Sequence, residues 1–228
     1  MKIMFLSDTH GRHREITELY GELPYVDIMV HSGDCTRYGE FEETDLFMNW
    51  FTTQNAKHKV LIAGNHDFVF QNKERTKQLL ELNPSVTYLE DTYINIDGIG
   101  IYGSPWSPVF GMWAFMKHRN TELDEVWQKV PTDGSVDLLV THTPRYGRFD
   151  ISVRGNYNVG CEMLANRIND INPKVHVFGH IHEGFGYVFD GNTHYINAAV
   201  LNGRYEFRNK PITVDWDPET NELDFIDG

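Results

Sequence analysis

The chain has 228 residues, of which 40% are hydrophobic and 13% aromatic, and its formal net charge is -13 at pH 7. This composition excludes a disordered chain and is sufficient for one sizeable core, while the acidic excess disfavours binding to nucleic-acid polymers. The 2 cysteines exclude a disulfide framework, and the apolar start MKIMFL is too short for a signal peptide or a transmembrane helix. We therefore expect one domain over residues 1–228, in the cytoplasm and without a membrane association.

The first half of the sequence alternates short apolar runs with segments of helical periodicity. Continuous apolar runs predict buried parallel strands, and apolar residues spaced three or four apart predict the helices between them. In chain order we predict strand 2–7, helix 13–20, strand 28–32, helix 41–54, strand 59–63 and helix 73–82.

After residue 86 the pattern changes to short strands separated by turn residues. Asp97-Gly98 and Asp190-Gly191-Asn192 are hairpin-turn signals. The predicted strands cover 92–96, 99–103, 137–141, 175–178, 186–189, 193–197 and 212–216, and a helix covers 161–171. Together these elements predict an α/β fold, a four-layer α/β/β/α sandwich in which two mixed β-sheets pack face to face and helices flank them.

Seven residues that are able to bind metal ions lie in five short clusters, each at the end of an apolar run. They are Asp8 and His10, Asp34, Asn65, His142, and His180 with His182. A single Asp-x-His or His-x-His motif is usually a turn or a polar surface. Because the carboxyl ends of parallel strands meet at one edge of a sheet, five such clusters instead predict a dimetal site at the strand C-terminal ends.

The ligand types also predict the chemistry of this centre. Asp34 follows a glycine and is placed to bridge two cations with one oxygen on each. Asp8 and Asp34 would neutralise half the charge of two divalent ions, and a shared hydroxide would leave one net positive charge, which suits a phosphodiester anion. That hydroxide is the expected nucleophile, because a metal lowers the pKa of water to about 7. Mixed imidazole and oxygen ligands favour Mn²⁺, with Fe, Zn, Co or Ni as alternatives.

The ordered motifs D-x-H, G-D, G-N-H-D, T-H and G-H-x-H span Asp8 to His182 and resemble the calcineurin-like metallophosphoesterase superfamily. The segments SDTHGRH, HSGDCTRYGE, AGNHDFVF, YGSPWSP, VFGHIHEGFG and YINAA resemble the metallophosphoesterase-domain (MPPED) family over nearly the whole chain. This branch is associated with class III cyclic nucleotide phosphodiesterase-like activity. The resemblance implies a single metallophosphoesterase domain over residues 1–228, built as a β-sandwich flanked by helices around two metals.

The resemblance also implies roles for individual residues. One ion would be held by Asp8, His10, Asp34 and His182, and the second by Asp34, Asn65, His142 and His180. His66 would contact the phosphate and protonate the leaving oxygen, which makes His66 and Asp34 the expected catalytic residues.

Two departures from the related patterns bear on function. Phosphoprotein phosphatases of the superfamily carry an aspartate shortly after G-D that orients the acid histidine, and Arg37 stands there in this chain. This argues against a protein phosphatase and makes Arg37 a candidate phosphate ligand. Animal members of the MPPED family carry a glycine where this chain has His180, so we expect a complete ligand set and an active enzyme here.

These features lead to a first hypothesis and two alternatives. The first is a dimetal-dependent phosphodiesterase that hydrolyses small phosphodiesters or nucleotides, cyclic nucleotides in particular, by metal-hydroxide attack. A phosphomonoesterase acting on nucleotides or phosphoproteins would use the same centre. A non-catalytic scaffold on the same fold would be marked by lost ligands, and none is lost.

Two further groups of residues have an open role. Aromatic residues after strand 99–103 would either line a nucleobase pocket or pack over the core edge, and we expect packing for most of them, leaving Trp106 undecided. They are Trp106, Phe110, Trp113 and Phe115. Arginines on the loop after His142 either contact substrate or are solvated. They are Arg145, Arg148 and Arg154.

Overall fold

Two six-stranded sheets form the centre of the computed structural model, which describes residues 1–153, 155–217, 220 and 222–226. The strands are β1 (Lys2–Leu6), β2 (Val26–His31), β3 (Ala56–Leu61), β4 (Val86–Tyr88), β5 (Thr92–Ile96), β6 (Ile99–Ser104), β7 (Ser107–Pro108), β8 (Met116–Lys117), β9 (Leu138–Thr141), β10 (Ile151–Ser152), β11 (Tyr157–Asn158), β12 (Val175–Phe178), β13 (Gly186–Phe189), β14 (His194–Asn197), β15 (Ile212–Asp217) and β16 (Glu222–Ile226). The helices are α1 (His13–Tyr20), α2 (Phe41–Thr53), α3 (Lys73–Leu82), α4 (Thr121–Trp127) and α5 (Glu162–Ile171), with 3₁₀ turns at Phe68–Gln71 and His182–Gly184.

Both sheets are mixed. The first has the strand order β16-β15-β1-β2-β3-β4, in which β1 to β4 are parallel and β15 and β16 are antiparallel to their neighbours. The second has the order β13-β14-β12-β9-β6-β5, with a parallel centre and antiparallel edge strands β13 and β5. The pairs β7-β8 and β10-β11 lie outside the two sheets.

Alternation along the strands separates the interior of the sandwich from its outer faces. On β1, Ile3 and Phe5 belong to a core that includes Ile101 and other residues of the second sheet. Met4 and Leu6 point the other way and pack in a cluster with residues of α1, α2 and α3. A third cluster joins α4 and α5 to the outer face of the second sheet. The predicted four-layer α/β/β/α sandwich is therefore confirmed.

The sequence pattern predicts every strand of the two sheets except β4 and β16, and every described helix except α4. β4 has only 3 residues, which is too short for a periodic signal. β16 is an edge strand without a fully buried residue, so it lacks an apolar run. α4 has 7 residues and buries only three of them, Leu123, Val126 and Trp127. In the described part of the chain, no helix is long and apolar enough to cross a membrane.

Candidate metal centre

All of the predicted ligands lie at one edge of the sandwich, to which both sheets contribute. The loops after β1, β2 and β3 carry Asp8 and His10, Asp34, and Asn65, and the loops after β9 and β12 carry His142, and His180 with His182. A parallel bridge between Ser7, which follows β1, and Ala199, which follows β14, joins the two sheets at this edge. The edge therefore collects side chains that are far apart in the sequence.

The ligand atoms form overlapping groups. Among the described residues, three sets have potential ligand atoms that all lie within 4.8 Å of one another: Asp8, His10 and His182; Asp34, His142 and His180; and His10, Asp34 and His66. Asn65 joins the second set, since its Oδ1 lies 3.0 Å from His142 Nε2. The structure thus brings together the predicted ligands, with His66 beside them.

Asp34 lies between two of these groups and faces them through a single oxygen. Its Oδ2 is 3.7 Å from His10 Nε2 and 3.4 Å from His142 Nε2. Its Oδ1 accepts a hydrogen bond from the backbone N–H of His66 at 2.8 Å. Because Oδ1 already accepts this backbone N–H and Oδ2 faces both groups, the distances favour a bridge through Oδ2 over one oxygen on each ion, and the bridging role of Asp34 stays a prediction.

Four of the predicted ligands have a left-handed backbone, which turns their side chains out of the strand pleat. The φ angles are 56° at Asp8, 44° at His10, 54° at Asp34 and 66° at His180. This conformation costs a non-glycine residue about 1–2 kcal/mol. Strain of this kind persists only where surrounding contacts over-determine the conformation, and its concentration here indicates a built site.

Glycines beside the ligands let the chain pass close to the carboxylates. A Cβ atom added at Gly64 would clash with the Asp34 carboxylate, and one added at Gly179 would clash with Asp8. The motifs Gly64-Asn65 and Gly179-His180 therefore require glycine for space, independently of the metal ligands that follow them.

Backbone carbonyls orient three of the histidines. The donor and acceptor pairs are His142 Nδ1 to Ser32 O at 3.0 Å, His182 Nδ1 to Asn202 O at 2.9 Å, and His66 Nδ1 to Arg37 O at 2.8 Å. Since a carbonyl oxygen only accepts, Nδ1 carries the proton in each ring and Nε2 is directed into the site. Metal-binding histidines are commonly oriented in this way.

Two histidines of the centre are paired with its carboxylates. Burial disfavours a charged His142, but the charge of Asp34 outweighs it and raises the pKa of His142 to about 9. Burial is likewise outweighed at His182, whose hydrogen bond to Asp8 raises its pKa to about 9. Burial also opposes ionisation of both carboxyls, yet these histidines hold the pKa of Asp8 and of Asp34 below the ordinary value.

The other two ligand histidines are neutral. Burial lowers the pKa of His10 to about 4 and that of His180 to about 3, although the nearby carboxylates act in the opposite direction. His10 Nε2 lies 3.2 Å from His182 Nε2, and His10 Nδ1 is buried without a hydrogen-bond partner among the described residues. The second proton that His182 holds at Nε2 lies between these two nitrogens in the metal-free protein, and a cation bound by both rings would take the place of that proton. The donor set therefore fits divalent cations.

Metal binding should release protons from this centre. In the metal-free protein both His142 and His182 have a pKa of about 9, so both hold a second proton near neutral pH. Coordination through Nε2 displaces these two protons, and a shared water with a pKa of about 7 loses a further one, so we expect about three to be released per protein at about pH 7.5. Calorimetric titration with Mn²⁺ in buffers of different ionisation enthalpy measures this number.

The pH dependence of the release has a definite sign. Lowering the pH should weaken binding, because protons compete with the ions, and raising it above about 9 should reduce the release toward the single proton of the bound water. Binding of Mn²⁺ without proton release at about pH 7.5 would contradict the proposed coordination by His142 and His182.

His66 borders the centre outside the predicted ligand set. Its ring centroid is 4.6 Å from that of His10, and the residue is 9% exposed. Its Nδ1 is engaged by Arg37 O, so Nε2 is the atom that can meet a substrate. Arg37 is exposed and its guanidinium lies over the Tyr38 ring, 5.3 Å from the centroid. Its backbone thus supports His66, while phosphate binding by its side chain stays a prediction.

A buried carboxylate outside the predicted site ties two ligand loops together. Asp67 accepts hydrogen bonds from the backbone of Gly64 at 2.8 Å, of Thr36 at 2.9 Å and of Cys35 at 3.2 Å. It therefore connects the loop that carries Asp34 to the loop that carries Asn65. Its position in the motif G-N-H-D is the sequence signal that points to it.

The aromatic residues after β6 divide into two kinds. Phe115 is 1% exposed and packs against Trp106, which also donates a hydrogen bond to Asp91. The expected packing is confirmed for Phe115, and Trp106 is structural as well. The expected packing over the core edge is wrong for Phe110 and Trp113. These residues are 57% and 37% exposed, because the segment between β7 and β8 projects from the surface.

The arginines after His142 make contacts within the protein. Arg145 Nη1 donates to Tyr195 Oη at 2.9 Å, and Arg148 Nη2 lies 3.5 Å from Asp190 Oδ2. Arg154 lies outside the described residues. A role of these side chains in substrate binding stays a prediction.

Comparison with known proteins agrees with this geometry. The family described as Calcineurin-like phosphoesterase matches residues 1–184. Metallophosphoesterase domain-containing protein 1 of Homo sapiens is 36% identical over 236 residues, which cover 94% of this chain and 70% of that protein. UPF0046 protein K07C11.7 of Caenorhabditis elegans is 34% identical over 224 residues, 93% of this chain and 74% of that protein.

The likeness of fold extends to distant solved structures. The crystal structure of TT1561 of Thermus thermophilus has a TM-score of 0.64 at 13% identity and covers 98% of this chain and 97% of that chain. A match over residues 1–184 together with a relative at 36% identity settles the family. This chain belongs to the calcineurin-like phosphoesterases, a family of metal-dependent phosphoester hydrolases.

Proposed function

We propose that this phosphoesterase is a dimetal-dependent phosphodiesterase that hydrolyses small phosphodiesters, with cyclic nucleotides as its substrates. The observation that carries the proposal is the pair of ligand groups, at the ends of strands from both sheets, with Asp34 Oδ2 between them. Two divalent ions would supply positive charge at the phosphate. They would also make a bound water acidic enough to lose a proton near neutral pH and so to act as a hydroxide nucleophile. The mixture of imidazole and oxygen ligands favours Mn²⁺.

Each ion would have its own ligands and share Asp34. The first would be held by Asp8, His10, Asp34 and His182, and the second by Asp34, Asn65, His142 and His180. The close groups Asp8–His10–His182 and Asp34–His142–His180 support this division. The carbonyl partners of His142 and His182 support it too, since they direct each Nε2 inward.

The charge of the centre favours a substrate with one negative charge. Asp8 and Asp34 are the carboxylates of the described ligand groups, and Asn65 and the coordinated imidazoles are neutral. The ions would therefore leave a small positive excess at the site. A phosphodiester monoanion matches that excess.

His66 is placed to supply the proton that a poor leaving group needs. Its Nδ1–H is fixed by Arg37 O, so a second proton would be held at Nε2, on the side of the site. A cyclic nucleotide opens by expelling an alkoxide, and protonation of such an oxygen accelerates the reaction by about 10²- to 10⁴-fold. Before that step the same N–H would contact the phosphate.

Activity with defined metals and substrates tests this function. We expect EDTA treatment to abolish hydrolysis of bis-p-nitrophenyl phosphate and Mn²⁺ to restore it, with Mg²⁺ and Ca²⁺ restoring little. Hydrolysis of the diester should exceed that of p-nitrophenyl phosphate. A panel of 2′,3′- and 3′,5′-cyclic nucleotides would then identify the cyclic substrate.

Each alternative predicts a different outcome of the same assay. A preference for p-nitrophenyl phosphate would indicate a phosphomonoesterase. Binding of metal without turnover of either ester would indicate a non-catalytic scaffold. Full activity in a sample shown by elemental analysis to be free of metal would refute a metal-dependent mechanism.

A further inference from the structure

Five consecutive exposed residues, 109–113, project from the surface beside the metal centre. Four of them are apolar: Val109, Phe110, Met112 and Trp113 are 41%, 57%, 98% and 37% exposed. A run of exposed apolar side chains is unfavourable in water. In a folded protein such a run marks a surface that binds a ligand or a partner. The segment 109–113 is therefore a candidate contact surface.

The base of this segment is held firmly and is connected to the metal site. Val109 N donates to Lys117 O at 3.0 Å, and Ser107 N donates to Phe115 O at 2.9 Å. Ala114 N donates to the backbone oxygen of Asn65, one of the proposed ligands, at 3.0 Å. Because these bonds fix both ends, the exposed rings are presented in a defined position.

Two rings of the segment lie against histidines of the centre. The Trp113 centroid is 4.2 Å from that of His66 at an interplanar angle of 32°, and the Phe110 centroid is 5.3 Å from that of His180. His66 is the residue that would contact the phosphate and the leaving oxygen. A group esterified to that phosphate would therefore lie close to the indole of Trp113.

We infer that the enzyme selects phosphodiesters that carry a flat aromatic group, and that this group stacks on Trp113. The inference rests on the proposed phosphodiesterase function and extends it to the class of substrate. A nucleobase and a simple aryl ring share the chemistry that the indole recognises, since every such ring has a π-face. Phe110 extends the apolar surface toward His180 and adds contact area.

Three cyclic phosphates that differ in one group test the inference. Adenosine, phenyl riboside and methyl riboside 2′,3′-cyclic phosphates have the same phosphate and the same leaving oxygens, but only the first two carry a flat ring. Their inhibition constants against Mn²⁺-dependent hydrolysis of bis-p-nitrophenyl phosphate report binding even where a compound is not turned over. We expect the adenosine compound to bind about 5- to 100-fold more tightly than the methyl riboside.

Variants of one exposed ring identify the stacking surface. Trp113→Ala should bring the ratio of the two constants close to one, whereas Trp113→Phe should retain most of it. Tyr25→Ala is the matched control, because Tyr25 is 52% exposed and precedes β2, at the end of the strand opposite to Asp34. It should leave the ratio unchanged. A general disturbance of His66 would weaken all three compounds equally and would not alter the ratio.

The outcomes separate this inference from the function on which it rests. If the wild-type protein does not hydrolyse bis-p-nitrophenyl phosphate with Mn²⁺, the phosphodiesterase function is wrong. If it does, but its constants for adenosine and methyl riboside compounds are equal, or Trp113→Ala keeps their ratio, stacking on Trp113 is refuted. Equal binding of the adenosine and phenyl compounds supports recognition of any flat ring, and tighter binding of adenosine supports a nucleobase.

Discussion

Replacement of Asp34 by asparagine should abolish activity together with metal binding. The amide can still accept the N–H of His66 through Oδ1, so the loop should keep its position. It removes, however, the negative charge that faces both His10 and His142. Loss of one residue that merely orients a ligand already costs about 10- to 100-fold, so we expect kcat/KM for bis-p-nitrophenyl phosphate to fall by more than about 10²-fold. Elemental analysis should show that the bound metal falls in parallel.

An exposed aspartate provides the control for this variant. Asp124 lies on the solvent side of α4, and Asp124→Asn should change neither the metal content nor the rate. Thermal unfolding of metal-free Asp34→Asn establishes that the chain still folds. If folded Asp34→Asn binds two ions with wild-type affinity and turns over normally, the shared-ligand assignment is wrong.

Replacement of His66 by alanine should separate chemistry from metal binding. The ring borders the centre and its Nδ1 is engaged by Arg37 O, so its removal leaves the proposed ligands in place. We expect two ions to remain bound while kcat for a cyclic nucleotide falls by about 10²- to 10⁴-fold, the contribution of a general acid. The fall with bis-p-nitrophenyl phosphate should be much smaller, because nitrophenolate leaves without a proton.

The rates of this variant on the two substrates identify the role of His66. Equal losses on both substrates would assign His66 to phosphate binding instead of proton transfer. An unchanged rate on both substrates would show that His66 takes no part in the reaction. His118→Ala, at an exposed histidine that precedes α4, is the control and should retain the wild-type rate on both substrates.

Local sequence patterns were sufficient to predict the parts of this protein that depend on neighbouring residues. Strand β1 buries four of its five residues, and a strand buried on both faces leaves a continuous apolar run that can be read directly. The motifs at the ends of β1, β2, β3, β9 and β12 are equally local. From them follow the four-layer fold, the family and the set of residues that converge.

Contacts between distant parts of the chain determine how these residues are presented. The proton position on His142 depends on Ser32 O, 110 residues away in sequence, and the orientation of the Asp34 carboxylate depends on the N–H of His66. Likewise, Phe115 is buried and Trp113 exposed, although both lie in one aromatic segment. Periodicity indicates which face of an element is apolar. The proton position on a ring, the orientation of a carboxylate and the exposure of an aromatic side chain depend on partners that only the folded chain brings into contact.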